Sequence, residues 1–73
     1  DYTKAIISRL ESFEIFLKDF PQYRERIVYI LLMVPTRDGV PKSRENKKET
    51  EVLISRINGT YGTLNWTPVI YQY

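Results

Sequence analysis

The sequence contains no cysteine and no histidine. Without cysteine there is no disulfide to staple the chain and no thiolate metal site. Without histidine the commonest general base and metal ligand is missing. Together the two absences exclude Ser-His-Asp and Cys-His catalysis and zinc-finger folds within these 73 residues. An excess of one charge is also lacking: 11 Lys and Arg stand against 9 Asp and Glu, for a net charge of +2. The two signs are mixed along the chain, whereas a nucleic-acid binder carries a denser basic patch, so no nucleic-acid partner is expected. The longest apolar run covers residues 27–35. That is far short of the ~20 residues a membrane helix needs, so no membrane span is expected. No charged-then-apolar leader is visible in these residues, and the lack of cysteine is compatible with the cytosol; a cytoplasmic location is expected.

What is present is ordinary globular material: 42% hydrophobic, 27% charged and 14% aromatic. A chain this short makes one domain at most and buries only about 60% of its unfolded surface. Ile6, Leu10, Phe13, Leu17 and Phe20 recur at steps of four and three, which predicts a helix over residues 6–20. Ser8 and Glu11 have capping-box spacing, and Pro21 should stop the helix. Residues 27–34 are apolar at every position, which predicts a strand buried on both faces, as in a parallel sheet. Residues 36–41 read as a loop, with Asp38-Gly39 and Pro41 as turn chemistry. A second helix is expected from Lys42 or Ser43 to Ile57, stopped by Asn58-Gly59 with Gly59 in the left-handed C-cap position. Its first half, residues 43–51, has no apolar residue and should be solvated. Pro68 or Val69 to Tyr73 reads as a second strand, with Pro68 tolerated only at its start.

The order helix, strand, helix, strand gives an α/β chain whose last three elements form one parallel βαβ unit. Two strands make a poor sheet, and an all-apolar strand needs neighbours and cover that this chain does not hold. The chain also begins at Asp1 rather than Met. We therefore expect a piece of a larger doubly wound domain.

Lys4, ahead of the first predicted helix, is placed to add a point charge at an anion-binding helix terminus. The ordinary reading is a solvated lysine, since no Walker or GxGxxG loop accompanies it. Arg37 directly follows the apolar strand, where an α/β sheet binds ligands, and an arginine there can fork onto a phosphate or carboxylate. Its ordinary reading is a surface arginine paired with Asp38. Pairs such as Asp38 with Glu45, or Glu49 with Glu51, have nothing to hold them across a cleft, and a charged helix face explains them. The run 42–48 reads as a solvated face. Trp66 is better read as a core plug whose N–H finds a backbone acceptor than as a stacking platform, and Tyr29, Tyr71 and Tyr73 as packing residues.

Three motifs in order carry a resemblance. Arg56-Ile57-Asn58-Gly59, Gly62 and Trp66-Thr67-Pro68 resemble the string RINGxxGxxxWTP of the trehalose-6-phosphate synthases. Asp1-Tyr2-Thr3-Lys4 resembles the end of that family's RLDYTKGI motif, and Val34-Pro35-Thr36-Arg37 resembles its VPSR. The long string is specific, and the similarity spans essentially the whole chain.

The resemblance implies a retaining glycosyltransferase of GT-B architecture, with two Rossmann-like domains facing across a cleft. Such an enzyme moves glucose from UDP-glucose to glucose 6-phosphate. Residues 1–73 would be an early part of the C-terminal, nucleotide-sugar domain. Lys4 matches the lysine that neutralises the donor diphosphate, and Arg37 the arginine that contacts the acceptor phosphate. No metal or other cofactor is implied, and retention without an enzyme nucleophile agrees with the absence of one here. The chain alone should be inactive, and its exposed strand edges should be able to pair with another copy.

There are departures. The family's other diphosphate-binding arginine falls outside this chain, as does the acceptor domain. The glycine after the lysine is Ala5, and the usual proline before the first helix is Ile7. Apolar family positions of the second helix are Ser43, Asn46 and Thr50. Ala5 and the polar positions of the second helix motivate an alternative: a catalytically silent member kept for assembly or for sensing sugar phosphates.

Overall fold

The computed structural model describes residues 2–32 and 41–72, and the side chains of 4–32 and 47–72. Helix α1 spans Tyr2–Asp19, strand β1 Tyr29–Leu32, helix α2 Pro41–Tyr61 and strand β2 Val69–Gln72. The two strands pair in parallel, Tyr29 opposite Val69 and Leu32 opposite Gln72. The chain is thus α/β, with α2 as the crossover of a βαβ unit, as its order of elements predicts.

Helix α1 starts four residues earlier than its apolar stripe suggests. Nothing in residues 2–5 breaks a helix, and Ala5, where the related motif has glycine, is the strongest helix former. Ser8 is therefore interior to the helix and does not cap it. The predicted stripe does face the core: Ile6, Leu10 and Leu17 are buried and Phe13 half-buried. Phe20 falls outside the helix and stays half-exposed, stacked on Phe16 with ring centroids 5.2 Å apart. Pro21 opens a single 3-10 turn, Pro21–Tyr23, where the α-helical ladder stops. Arg24 Nε donates to the Leu17 carbonyl at 2.8 Å, satisfying one of the carbonyls that the end of α1 leaves open. The same guanidinium lies 5.0 Å from the Tyr61 ring centroid and so joins the ends of both helices.

Helix α2 does not stop at Asn58-Gly59. Gly59 lies inside the helix, in open space, and carries no left-handed cap. The stop comes at Gly62, whose N–H donates to the Asn58 carbonyl at 2.8 Å. A Cβ there would stand 2.3 Å from that carbonyl oxygen, so only glycine fits so close an approach. The expected solvation of residues 43–51 is corrected at Thr50, which is buried. Val52, by contrast, faces solvent.

Both helices cover one face of the sheet. Ile6, Leu10 and Leu17 of α1, Leu53, Ile54 and Ile57 of α2, Trp66 and Val69 form the core, with Tyr29, Leu31 and Tyr71 packed against it. The other face carries Ile30 and Leu32, 63% and 66% exposed. Strand β1 therefore alternates half-buried and exposed and is not buried on both faces. The physical reason is that this chain supplies a single helical layer, whereas a parallel sheet normally has two. The expected strand residues 33 and 34, the 36–40 part of the loop, and Tyr73 lie outside the described residues.

Candidate functional site at the carboxyl end of the sheet

The direction of the helices decides where the candidate residues fall. Ile7 and Glu49 line one groove between the helices, and Arg56 Nη2 meets Glu14 Oε1 at 2.7 Å. An advance of seven along α1 matches an advance of seven along α2, so the helices run the same way. Helix α2 leaves the carboxyl end of β1 and ends before the amino end of β2. Both helices therefore run antiparallel to the strands, and both amino termini lie at the carboxyl end of the sheet.

Lys4 occupies the first turn of α1, with its side chain exposed. The sequence predicted a lysine ahead of the helix. The structure instead makes it part of the helix, because α1 extends to Tyr2. Phe13 rests on Tyr29 at the start of β1, ring centroids 5.4 Å apart. From Phe13, nine helical residues lead back to Lys4, about 13 Å at 1.5 Å per residue. Tyr29 to Leu32 is about 10 Å along the strand. Lys4 is therefore at the end of α1 that points towards the carboxyl end of β1. Arg37 lies outside the described residues. Its segment is bounded by Leu32, the last residue of β1, and Pro41, the first of α2, both at this same end. An anion placed here would meet the positive ends of two helix dipoles as well as the lysine.

The long motif sits at the opposite end. Asn58 Nδ2 donates to the Val69 carbonyl at 3.0 Å, and the Val69 N–H donates to Asn58 Oδ1 at 2.9 Å. Trp66 Nε1 donates to the Ile27 carbonyl at 2.8 Å, and the ring is buried. Thr63 and Trp66 exchange backbone bonds of 2.9 and 3.3 Å. Trp66 is thus the core plug its position suggested. The bracketing of Val69 by Asn58 was not read from the sequence. Its signal was an amide residue in the last turns of a helix, one face of which both donates and accepts. These contacts fix where the strands begin and touch nothing at the carboxyl end.

Arg56, the first residue of that motif, is spent between the helices. The Glu14 hydrogen bond, then the attraction of that carboxylate, raises the guanidinium's affinity for its proton further. The groove beside it, about 180 Å³, is lined by Ile7, Glu11, Glu49, Val52, Leu53 and Arg56 and lies on the flank of the helical layer. Glu49 faces that groove, while Glu51 lies 3.9 Å from Lys47, one turn away on α2. That geometry fits a charged helix face rather than an acid–base pair. Among the described residues no cluster of His, Cys, Asp or Glu side chains is arranged to hold a metal. No described helix is long and apolar enough to cross a membrane.

The sequence profile of glycosyltransferase family 20 matches residues 1–73. The chain is 44% identical over 73 residues to the bifunctional trehalose-6-phosphate synthase/phosphatase of Thermoproteus tenax, covering all of this chain and 10% of that protein. It superposes with a TM-score of 0.92, at 29% identity, on the alpha,alpha-trehalose-phosphate synthase (UDP-forming) of Burkholderia xenovorans in complex with glucose-6-phosphate, covering 100% of this chain and 16% of that one. A trehalose-6-phosphate protein of E. coli bound with UDP-2-fluoro glucose superposes with a TM-score of 0.87 at 33% identity, covering 99% of this chain and 16% of that one. The chain thus spans between a tenth and a sixth of the length of these relatives.

Proposed function

Because the chain belongs to glycosyltransferase family 20, we propose that it forms part of the nucleotide-sugar domain of a retaining enzyme of GT-B, Rossmann-like architecture. The reaction moves glucose from UDP-glucose to glucose 6-phosphate. The bond from the sugar to the UDP oxygen breaks, the acceptor hydroxyl forms the new bond and loses its proton, and UDP and trehalose 6-phosphate leave. Lys4 meets the donor diphosphate and offsets the charge that grows on UDP as it departs. Arg37 forks onto the acceptor phosphate. No side chain of this region acts as a nucleophile. Residues 1–73 alone hold one cation for each phosphate and no second domain, so the isolated chain is inactive. The intact enzyme works in the cytoplasm.

The observation that supports this reading best is that the amino-terminal turn of α1, which carries Lys4, and the two residues that bound the Arg37 segment, Leu32 and Pro41, belong to the same end of a parallel sheet. That is where open α/β folds bind ligands. The test uses a full-length protein that carries this chain. Lys4→Ala should lower kcat by roughly 10²–10³-fold, the range for removing one stabiliser of developing charge. Arg37→Ala should raise KM for glucose 6-phosphate far more than KM for UDP-glucose. Unchanged turnover in the first variant, or equal shifts in the second, would remove these roles.

One observation favours a second reading. Ala5 lets α1 begin at Tyr2, so Lys4 lies within the helix, where a glycine next to it would favour a turn. A silent member of the family, kept for assembly or for sensing sugar phosphates, would tolerate that shift. Sugar-phosphate binding by the full-length protein without any transfer would support it, and Ala5→Gly would then be the variant to restore turnover.

A further inference from the structure

Of the asparagines in the chain, Asn46, Asn58 and Asn65, only Asn58 is followed by glycine. An asparagine before glycine is the peptide sequence most open to loss of its side-chain amide. The backbone nitrogen of the next residue attacks the amide carbon, and glycine has no side chain to obstruct the approach.

The fold keeps the pair from this reaction by two contacts. Gly59 lies inside α2, so its N–H belongs to the helical ladder and its nitrogen is not free to attack. The Asn58 amide is held on β2: Nδ2 donates to the Val69 carbonyl at 3.0 Å, and Oδ1 accepts from the Val69 N–H at 2.9 Å. Its polar atoms thus point at the strand and not back at the Gly59 nitrogen. Cyclisation would also turn the Asn58 peptide out of the helical range. Both contacts are made within the βαβ unit itself and do not depend on what packs around it. They lie in the last turn of α2, where helices fray first.

We propose that Asn58-Gly59 is a deamidation site gated by opening of the end of α2. Once that turn opens and Asn58 leaves Val69, the Gly59 nitrogen bonds to the Asn58 side-chain carbonyl carbon. The bond from that carbon to Nδ2 breaks, and Nδ2 leaves as ammonia with the proton that Gly59 gives up. Water then opens the cyclic imide at either carbonyl. One product carries aspartate in place of Asn58. The other carries isoaspartate, with the main chain rerouted through the side chain. Neither rebuilds the clasp. A carboxylate accepts from the Val69 N–H but has no proton for the Val69 carbonyl. Isoaspartate adds a methylene to the main chain and displaces the helical ladder. A reversible local opening thereby becomes an irreversible one. This inference is independent of the catalytic reading above.

The test uses a full-length protein carrying the chain, held in mildly alkaline buffer with and without denaturing guanidinium. Peptide mapping then reads aspartate and isoaspartate at the Asn58 position. Conversion should proceed in denaturant and run at least about tenfold slower in the native protein, since only the open fraction reacts. Leu10→Ala loosens the core without touching the pair. It should raise the native rate and leave the denatured rate unchanged. Where that variant fails to fold, the native rate of the wild type should rise in urea below the unfolding transition. Gly59→Ala should suppress conversion in denaturant. Asn58→Asp, which has the side chain of one product, should speed amide exchange of Gly62 about tenfold. Equal native and denatured rates, no conversion in denaturant, a native rate indifferent to loosening, or unchanged exchange in Asn58→Asp would overturn the proposal.

Discussion

Replacing Trp66 by phenylalanine should lower the stability of this part of the fold markedly. Trp66 is 7% exposed and its indole N–H reaches the Ile27 carbonyl at 2.8 Å, across 39 residues of chain. Phenylalanine keeps the aromatic character but removes the donor and part of the ring. A half-buried carbonyl left without its partner costs about 1–3 kcal/mol. The missing ring volume in a core position adds about 1 kcal/mol. The sum is about 2–4 kcal/mol. For a domain of this size each kcal/mol moves Tm by about 4–8 °C, so Tm should fall by at least about 8 °C. Urea unfolding followed by circular dichroism measures this without the tryptophan signal. A benzothienyl analogue at the same position, equal in shape but lacking the N–H, should lose about 1–3 kcal/mol by itself. A loss below about 0.5 kcal/mol for that analogue would refute the claim that this hydrogen bond ties the end of the motif to β1.

The two glycines of the motif should respond oppositely. Gly59→Ala, in open helical space, should raise stability by about 0.5–1 kcal/mol in thermal unfolding. Gly62→Ala, whose Cβ would lie 2.3 Å from the Asn58 carbonyl oxygen, should lower it and weaken protection of the last turn of α2 to amide exchange. Leu10→Ala at a fully buried position should cost about 2–5 kcal/mol in the same assay. Arg56→Ala should change stability little, because the bridge to Glu14 is solvated, and the small effect should shrink further in 1 M salt.

The parts legible in the sequence were those set by strong local patterns. The α1 stripe at steps of three and four, Pro21 as a stop and the β2 run after Pro68 all appear where periodicity and proline place them. Trp66 was legible because a large ring with one donor has few good uses at a loop-to-strand junction. The misplaced details had tertiary causes. Gly59 resembled a cap, but a glycine inside a helix costs only about 1 kcal/mol, which packing of Ile57 and Tyr61 offsets. Thr50 is polar in composition yet buried by position, so it broke the apolar period. Lys4 lies in the first turn of α1 because nothing in residues 2–5 breaks the helix. Apolarity at every position of β1 predicted cover on two faces, and one face stays bare because the cover is not encoded in these residues. The clasp of Asn58 on Val69 depends on the fold's return of the chain and has no local signature.

The two ends of the sheet differ: the Asn58 clasp on Val69 holds the amino end, and the proposed phosphate contacts belong to the carboxyl end. The measurement that tests this most directly is a transfer assay on a full-length protein carrying the chain, with UDP-glucose and a panel of sugar phosphates, comparing wild type with Lys4→Ala. UDP release with glucose 6-phosphate as the preferred acceptor is expected, with kcat lowered by roughly 10²–10³-fold in the variant. Transfer that is indifferent to Lys4, or none with any sugar phosphate, would contradict it.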